Sequence, residues 1–211
     1  MAILDRNMEW KRLTRFIPFH AFLGSQVTGA SIVLDGFGTG APVVGEVSDF
    51  GYGGFDMEVG DMIACLDYET LSLADVTKEI GVRVRWIDEQ GTPAAGDSVT
   101  WIALYDQADQ GEAMVEPATA LSTAIAAHTP AQTVGIKNRR TARGVIDGGT
   151  FDAAAKQGVL GWRIEADAVT SYTAGEITFM ALEIDYYPAF CVDPTDRDIN
   201  ELTKRTDSEN A

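Results

Sequence analysis

Positive charge is what this chain has least of. Its 211 residues carry 16 lysines and arginines against 32 aspartates and glutamates, a formal net charge of −16. Between Phe16 and Thr77 there is no lysine or arginine, while nine acidic residues fall there. Phosphate backbones are bound through lysine and arginine, so the balance argues against nucleic acid as the main partner, and against an anionic membrane surface. Histidine and cysteine are scarce as well, with two of each. His20 and His128 lie in unrelated contexts without ligand spacing, which argues against a histidine metal centre, and Cys65 and Cys191 cannot form a cysteine zinc cluster. Both cysteines sit in apolar surroundings and read as buried free thiols. A domain of this size does not need a disulfide between them, and their pairing is left open. No hydrophobic run is long enough to span a bilayer. The first fifteen residues are broken by charge and lack the apolar segment of a secretory leader, so assembly in a cytoplasm is expected.

What the chain does have is strand alternation. In Leu160-Gly-Trp-Arg-Ile-Glu-Ala-Asp-Ala168, the residues Leu160, Trp162, Ile164, Ala166 and Ala168 face one way, and Arg163, Glu165 and Asp167 the other. In Glu176 to Tyr187, the residues Thr178, Met180, Leu182, Ile184 and Tyr186 share a face opposite Ala181, Glu183 and Asp185. Side chains alternate along a strand, so each run reads as an antiparallel strand with one buried face, and residues 169–175 between them as a hairpin loop. Val82-Arg-Val-Arg-Trp-Ile87 and Ser98-Val-Thr-Trp-Ile-Ala-Leu-Tyr105 read as a second hairpin, with Trp86 and Trp101 buried. Residues 30–34, 42–47, 62–66, 131–137 and 143–146 read as further extended pieces. Phe50-Gly-Tyr-Gly-Gly-Phe55 reads as an aromatic loop. The alanine-rich Pro117 to His128 reads as a helix closed by Thr129-Pro130, and Phe151 to Gln157 as one helical turn. Many short strands with turn signals between them predict an all-β antiparallel β-sandwich, a jelly roll by expectation, with one or two short helices. Residues 1–18 form an N-terminal arm, 19–192 the sandwich domain, and 193–211 a polar tail.

Catalytic signals are sparse. Gly36-Phe-Gly38-Thr-Gly40-Ala41 matches a loose dinucleotide fingerprint, but the extended Pro42-Val-Val follows where a helix is needed to meet the pyrophosphate. No nucleophile elbow surrounds a serine. The expectation is a protein without enzymatic activity and without a cofactor. Calcium is the candidate ligand for the carboxylates at Asp56, Glu58 and Asp61 and at Asp193, Asp196 and Asp198, although neither group has the EF-hand spacing. Such loop carboxylates would also be the machinery of a glycoside-active enzyme. Phe50, Tyr52 and Phe55 could stack on sugars or anchor a subunit. In so acidic a chain, Lys137-Asn-Arg-Arg140-Thr-Ala-Arg143 stands out, as do the basic residues interleaved with apolar ones before Pro18. The candidate partner-binding residues are Trp10, Lys11, Arg12 and Arg15 on the arm and Arg139, Arg140 and Arg143 in the basic cluster, docking on an acidic neighbour or a second copy.

Gly81 to Trp86, Asp97 to Tyr105, Val159 to Asp167 and Ile177 to Pro188 together resemble the β-sandwich virion proteins of tailed bacteriophages, including capsid decoration (cement) proteins and related head or tail accessories. The resemblance covers roughly residues 80–188 and is one of strand texture. It implies a non-enzymatic component of the virion, a homotrimer on the capsid exterior, with the major capsid protein or other virion proteins as partners. The alternative from the residues alone is a carbohydrate-binding β-sandwich module of a tail fibre or cell-surface protein.

Overall fold

The computed structural model describes residues 12–22, 25–28, 31–34, 43–47, 52–92, 94–109, 111–129, 135–151, 158–170, 172 and 176–189. They form an antiparallel β-sandwich. The first sheet contains β1 (Leu13–Pro18), β4 (Val43–Val47), β5 (Tyr52–Asp56), β7 (Ile80–Asp88), β10 (Lys137–Arg140), β11 (Gly144–Ile146) and β13 (Ile177–Tyr186). Its central pair is β7 and β13. The second sheet runs β6 (Met62–Asp67), β12 (Val159–Thr170), β8 (Ser98–Ala108) and β9 (Thr119–Ala120). A small separate ladder joins β2 (Ser25–Thr28) and β3 (Ser31–Leu34). The segment Leu13–Pro18, assigned by sequence to the arm, pairs along β13 as a strand of the first sheet.

The two expected hairpins are not hairpins. β7 pairs with β13 in one sheet, and β8 pairs with β12 in the other. The chain therefore passes from one sheet to the other between Asp88 and Ser98 and again between Thr170 and Ile177. Each pair of neighbouring strands has one apolar face, and burying both faces requires placing them on opposite walls of one core. Trp86 and Trp101, both buried, meet across that core with ring centroids 6.2 Å apart, and Trp101 lies 6.2 Å from Phe179. Tyr105 and Trp162 stand at the same separation further along.

Two bulges move the side chains that simple alternation had assigned. The β12 register shifts between Ala166 and Ala168, which turns Ala168 out to solvent while Val169 packs on the core. The β13 register shifts between Phe179 and Ala181. Ile177 and Phe179 consequently face the core in place of Thr178 and Met180, and the expected order resumes at Leu182, Ile184 and Tyr186. One extra residue in a strand reverses every face beyond it.

The helical expectation at 117–128 is overturned. This stretch is extended, with β9 on β8 and isolated bridges from Thr123 to Val145 and from His128 to Val99. Alanine's helix propensity amounts to a few tenths of a kcal/mol per residue, and burial of Leu121 and Ile125 against the strands outweighs it. The helical pieces observed are a 3-10 turn at Phe19–Phe22 and a single-turn helix α1 at Thr70–Leu73. Asp67, buried at the end of β6, accepts the amides of Glu69 (3.0 Å) and Thr70 (3.1 Å) and so fixes the start of α1. Tyr52–Asp56, expected as loop, is strand β5, and it carries Phe55 into the core. The glycine-rich 35–42 and residues 152–157 lie outside the described residues.

Cys65 is a buried free thiol on β6, and burial pushes its pKa well above the ordinary range, with Asp67 adding to the shift. In a Cys191→Ser background it should therefore resist alkylation in the folded chain and react on addition of denaturant. Labelling at equal rates in both states would refute this burial.

Candidate functional site

The outer face of the first sheet carries the densest chemistry in the chain. Three rows of opposed residues cross it. Phe16, Glu183 and Arg83 share one row, and Thr14, Asp185, Gly81 and Val145 a second. Ala181, Arg85 and Arg140 form the third. Alternation places these side chains outward because Val82, Val84, Trp86, Leu182 and Ile184 take the inward positions.

Within these rows, two carboxylates lie beneath a layer of guanidiniums. Glu183 accepts from Arg85 Nε at 2.6 Å and from Arg140, and Arg83 approaches it at 3.5 Å. Asp185 accepts from Arg83 at 2.8 Å, from Arg12 at 3.0 Å and from Arg143 through Nη2 at 2.8 Å and Nε at 3.0 Å. Glu79 binds the far sides of Arg143, at 3.0 Å, and of Arg12. The Glu183 side chain is 1% exposed and that of Asp185 7%, so the guanidiniums above them meet the solvent. Gly81 makes room for this. A methyl group there would overlap both the Arg143 guanidinium and the Asp185 carboxylate. The bidentate pairing of Arg143 on Asp185 holds that guanidinium in one orientation. Phe16 projects among them, 53% exposed, with the Arg85 guanidinium 5.9 Å from its ring centroid.

Five guanidiniums against three carboxylates leave this cluster two positive charges in excess. Burial alone would raise the Asp185 pKa. The hydrogen bonds and charge of Arg143, with Arg83 and Arg12, outweigh it and hold the carboxyl below the usual range. A carboxyl held lower in the folded chain than in the unfolded one adds stability at every pH above its unfolded pKa of about 3.9. That contribution drains away as pH falls through the folded value. The urea stability of the wild type should therefore lose more between pH 5 and strong acid than that of Asp185→Asn. Parallel curves would contradict the pairing.

The residues reserved by sequence for a partner divide on this map. Arg12 converges on the cluster with Arg140 and Arg143, which lie far from it in sequence. Arg15 lies elsewhere, paired with Asp67 and with Glu69 at 3.3 Å. Arg139 binds Asp88 at 2.8 Å at the end of β7. Trp10 and Lys11 lie outside the described residues. Sequence reasoning missed Arg83 and Arg85 as members, although their alternation in Val82 to Ile87 was the signal that could have found them.

The opposite outer face, on the second sheet, differs in kind. Its rows are Leu66, Gly161 and Asp106; Ala64, Arg163, Leu104 and Ala120; and Met62, Glu165 and Ile102. The segment before β9 crosses this face. Pro117 occupies the space a methyl group on Gly161 would need, at 3.1 Å, and Glu116 binds Arg163 at 2.7 Å. Asp106, Glu116 and Glu165 against Arg163 leave two negative charges in excess here, around exposed Leu66, Met114 and Val115.

Phe55 is buried in the core and so offers no ring to the expected sugar platform, while Phe50 and the Tyr52 side chain lie outside the described residues. Among the described residues no group of three His, Cys, Asp or Glu side chains is placed to hold a metal ion. Within the Asp56, Glu58 and Asp61 group, Asp56 accepts from the Thr178 hydroxyl at 2.9 Å, and Asp61 from the Glu58 amide at 2.7 Å. No described helix is long and apolar enough to cross a membrane. No protein-family model matches the chain, and no curated protein matches it.

Proposed function

We propose that this chain is a non-enzymatic structural protein of a tailed-phage particle, a capsid decoration protein of jelly-roll type on the outer surface of the head. Its partners are the major capsid protein and further copies of itself, in a homotrimer. One observation carries the reading: a sandwich with a guanidinium cluster in positive excess on one outer face and a carboxylate patch in negative excess on the other, each with apolar side chains exposed nearby. A subunit of a repeating surface must meet each neighbour in one orientation, and fixed, unlike faces supply that orientation. Repetition then lets modest single contacts sum to firm attachment. The overall charge of −16 keeps finished particles apart in solution.

The test is resupply. Heads assembled without this protein are mixed with it and sedimented. Saturable co-sedimentation with heads, and no signal on a glycan array, is the expected outcome. Absence from the head pellet together with sugar-dependent binding on the array would replace this reading with the carbohydrate-binding one.

A further inference from the structure

The geometry points to head-to-tail self-association. The guanidinium-rich outer face of the first sheet on one copy docks on the acidic outer face of the second sheet on the next. Phe16 seats beside Leu66, and the arginines meet Asp106, Glu116 and Glu165. The two faces match in three respects. The guanidinium cluster of the first and the patch of Asp106, Glu116, Glu165 and Arg163 on the second carry excess charges equal in number and opposite in sign. Each carries exposed apolar side chains: Phe16, 53% exposed, on the first, and Leu66, 46% exposed, on the second, with Val115 next in sequence to Glu116. On each, ion pairs already restrain charged side chains, Arg143 and Arg140 on the first and Arg163 with Glu116 and Glu165 on the second, so less rotamer entropy is lost on docking. They also lie on opposite walls of the same core, so one copy can use both at once. A pair of surfaces that complement each other but not themselves makes a heterologous contact, which closes into a ring or grows. The guanidiniums suit this role because Glu183 and Asp185 already hold them in place, leaving the outward edge of Arg140, 44% exposed, free of folding duties beyond that contact. At very low salt the net charge opposes any meeting of copies. Near physiological salt the Debye length is about 8 Å, which screens that repulsion while contact pairs persist.

The inference does not depend on the particle role. Copies can join without a shell, and failure of head binding leaves it standing. Sedimentation velocity across a wide concentration range at physiological salt tests it with three proteins. Wild type should rise above the single-chain mass of 22.7 kDa as concentration increases. A basic-face variant, Phe16→Asp, and an acidic-face variant, Asp106→Lys with Glu116→Lys, should each stay at the mass of one chain. Mixed in equal amounts, they retain one intact interface between them and should form a species of two chains and no larger. All the substituted positions are at least partly exposed, and matching near-ultraviolet circular dichroism checks that the fold survives. Thr14→Glu, exposed on the same basic face, replaces Phe16→Asp if that variant unfolds. Wild type at one-chain mass throughout overturns the inference. So does either variant associating as wild type does, or a mixture that stays at one-chain mass.

Discussion

Replacing Glu183 with alanine is expected to destabilise the fold by about 3 kcal/mol, the low end of what breaking a buried ion pair costs. The carboxylate lies in the middle of the first sheet's outer face, 1% exposed, and balances Arg85, Arg140 and, at longer range, Arg83. Removing it leaves the Arg85 and Arg140 guanidiniums without their counter-charge, beside Arg83, which keeps Asp185. The cost stays at the low end because these arginines keep a solvent-facing edge and can turn toward water. Arg140→Ala, the reverse deletion on a side chain that is 44% exposed, should cost under about 1 kcal/mol, since exposed ion pairs contribute little. Urea denaturation followed by circular dichroism measures both, and an unchanged slope against denaturant shows that stability alone has moved. Equal and small losses for the two variants would mean that the buried carboxylate is not what organises this face.

The larger effect is expected at Trp86. Trp86→Ala should cost about 4 kcal/mol, within the range for deleting a large aromatic from a packed core. The indole is fully buried. Its ring lies 6.2 Å from Trp101 on the opposite sheet, 5.7 Å from His128 in the stretch after β9 and 6.3 Å from Tyr172 between β12 and β13, so three separate parts of the chain pack on it. No single neighbour can fill the space it leaves. Native domains are stable by only about 5–15 kcal/mol, so this one change removes a large share of the total. Trp86→Phe keeps a ring against Trp101 and should lose less than half as much. A loss below about 1 kcal/mol for the alanine variant would show that the two sheets do not pack through this residue.

The strands were legible because alternation is a local signal. Val82 to Ile87, Ser98 to Tyr105 and Leu160 to Ala166 carry their inward residues at every second position, and each is a strand with that face buried. Alternation fixes a face and says nothing about a partner, which is why neighbouring strands were joined as hairpins when they belong to opposite sheets. The bulges at Asp167 and Met180 left no residue signal of their own, so Thr178 and Ala168 were assigned to the wrong side. Alanine-rich 117–128 misled because its propensity is weak beside the burial of Leu121 and Ile125. The site was half legible. Arg12, Arg140 and Arg143 stood out as scarce positive charge, and Arg83, Glu183 and Asp185 as outward positions. Their meeting depends on the pairing of β7 with β13, which places Arg83 directly opposite Glu183 across a separation of 100 residues.

The central claim is that this protein works through its surfaces, as an assembling subunit. Light scattering of the purified wild type, at low and at physiological salt, tests it most directly. The account predicts a mass close to one chain at low salt, where net charge keeps copies apart, and a stable multiple of 22.7 kDa at physiological salt. A mass of one chain under both conditions would contradict it.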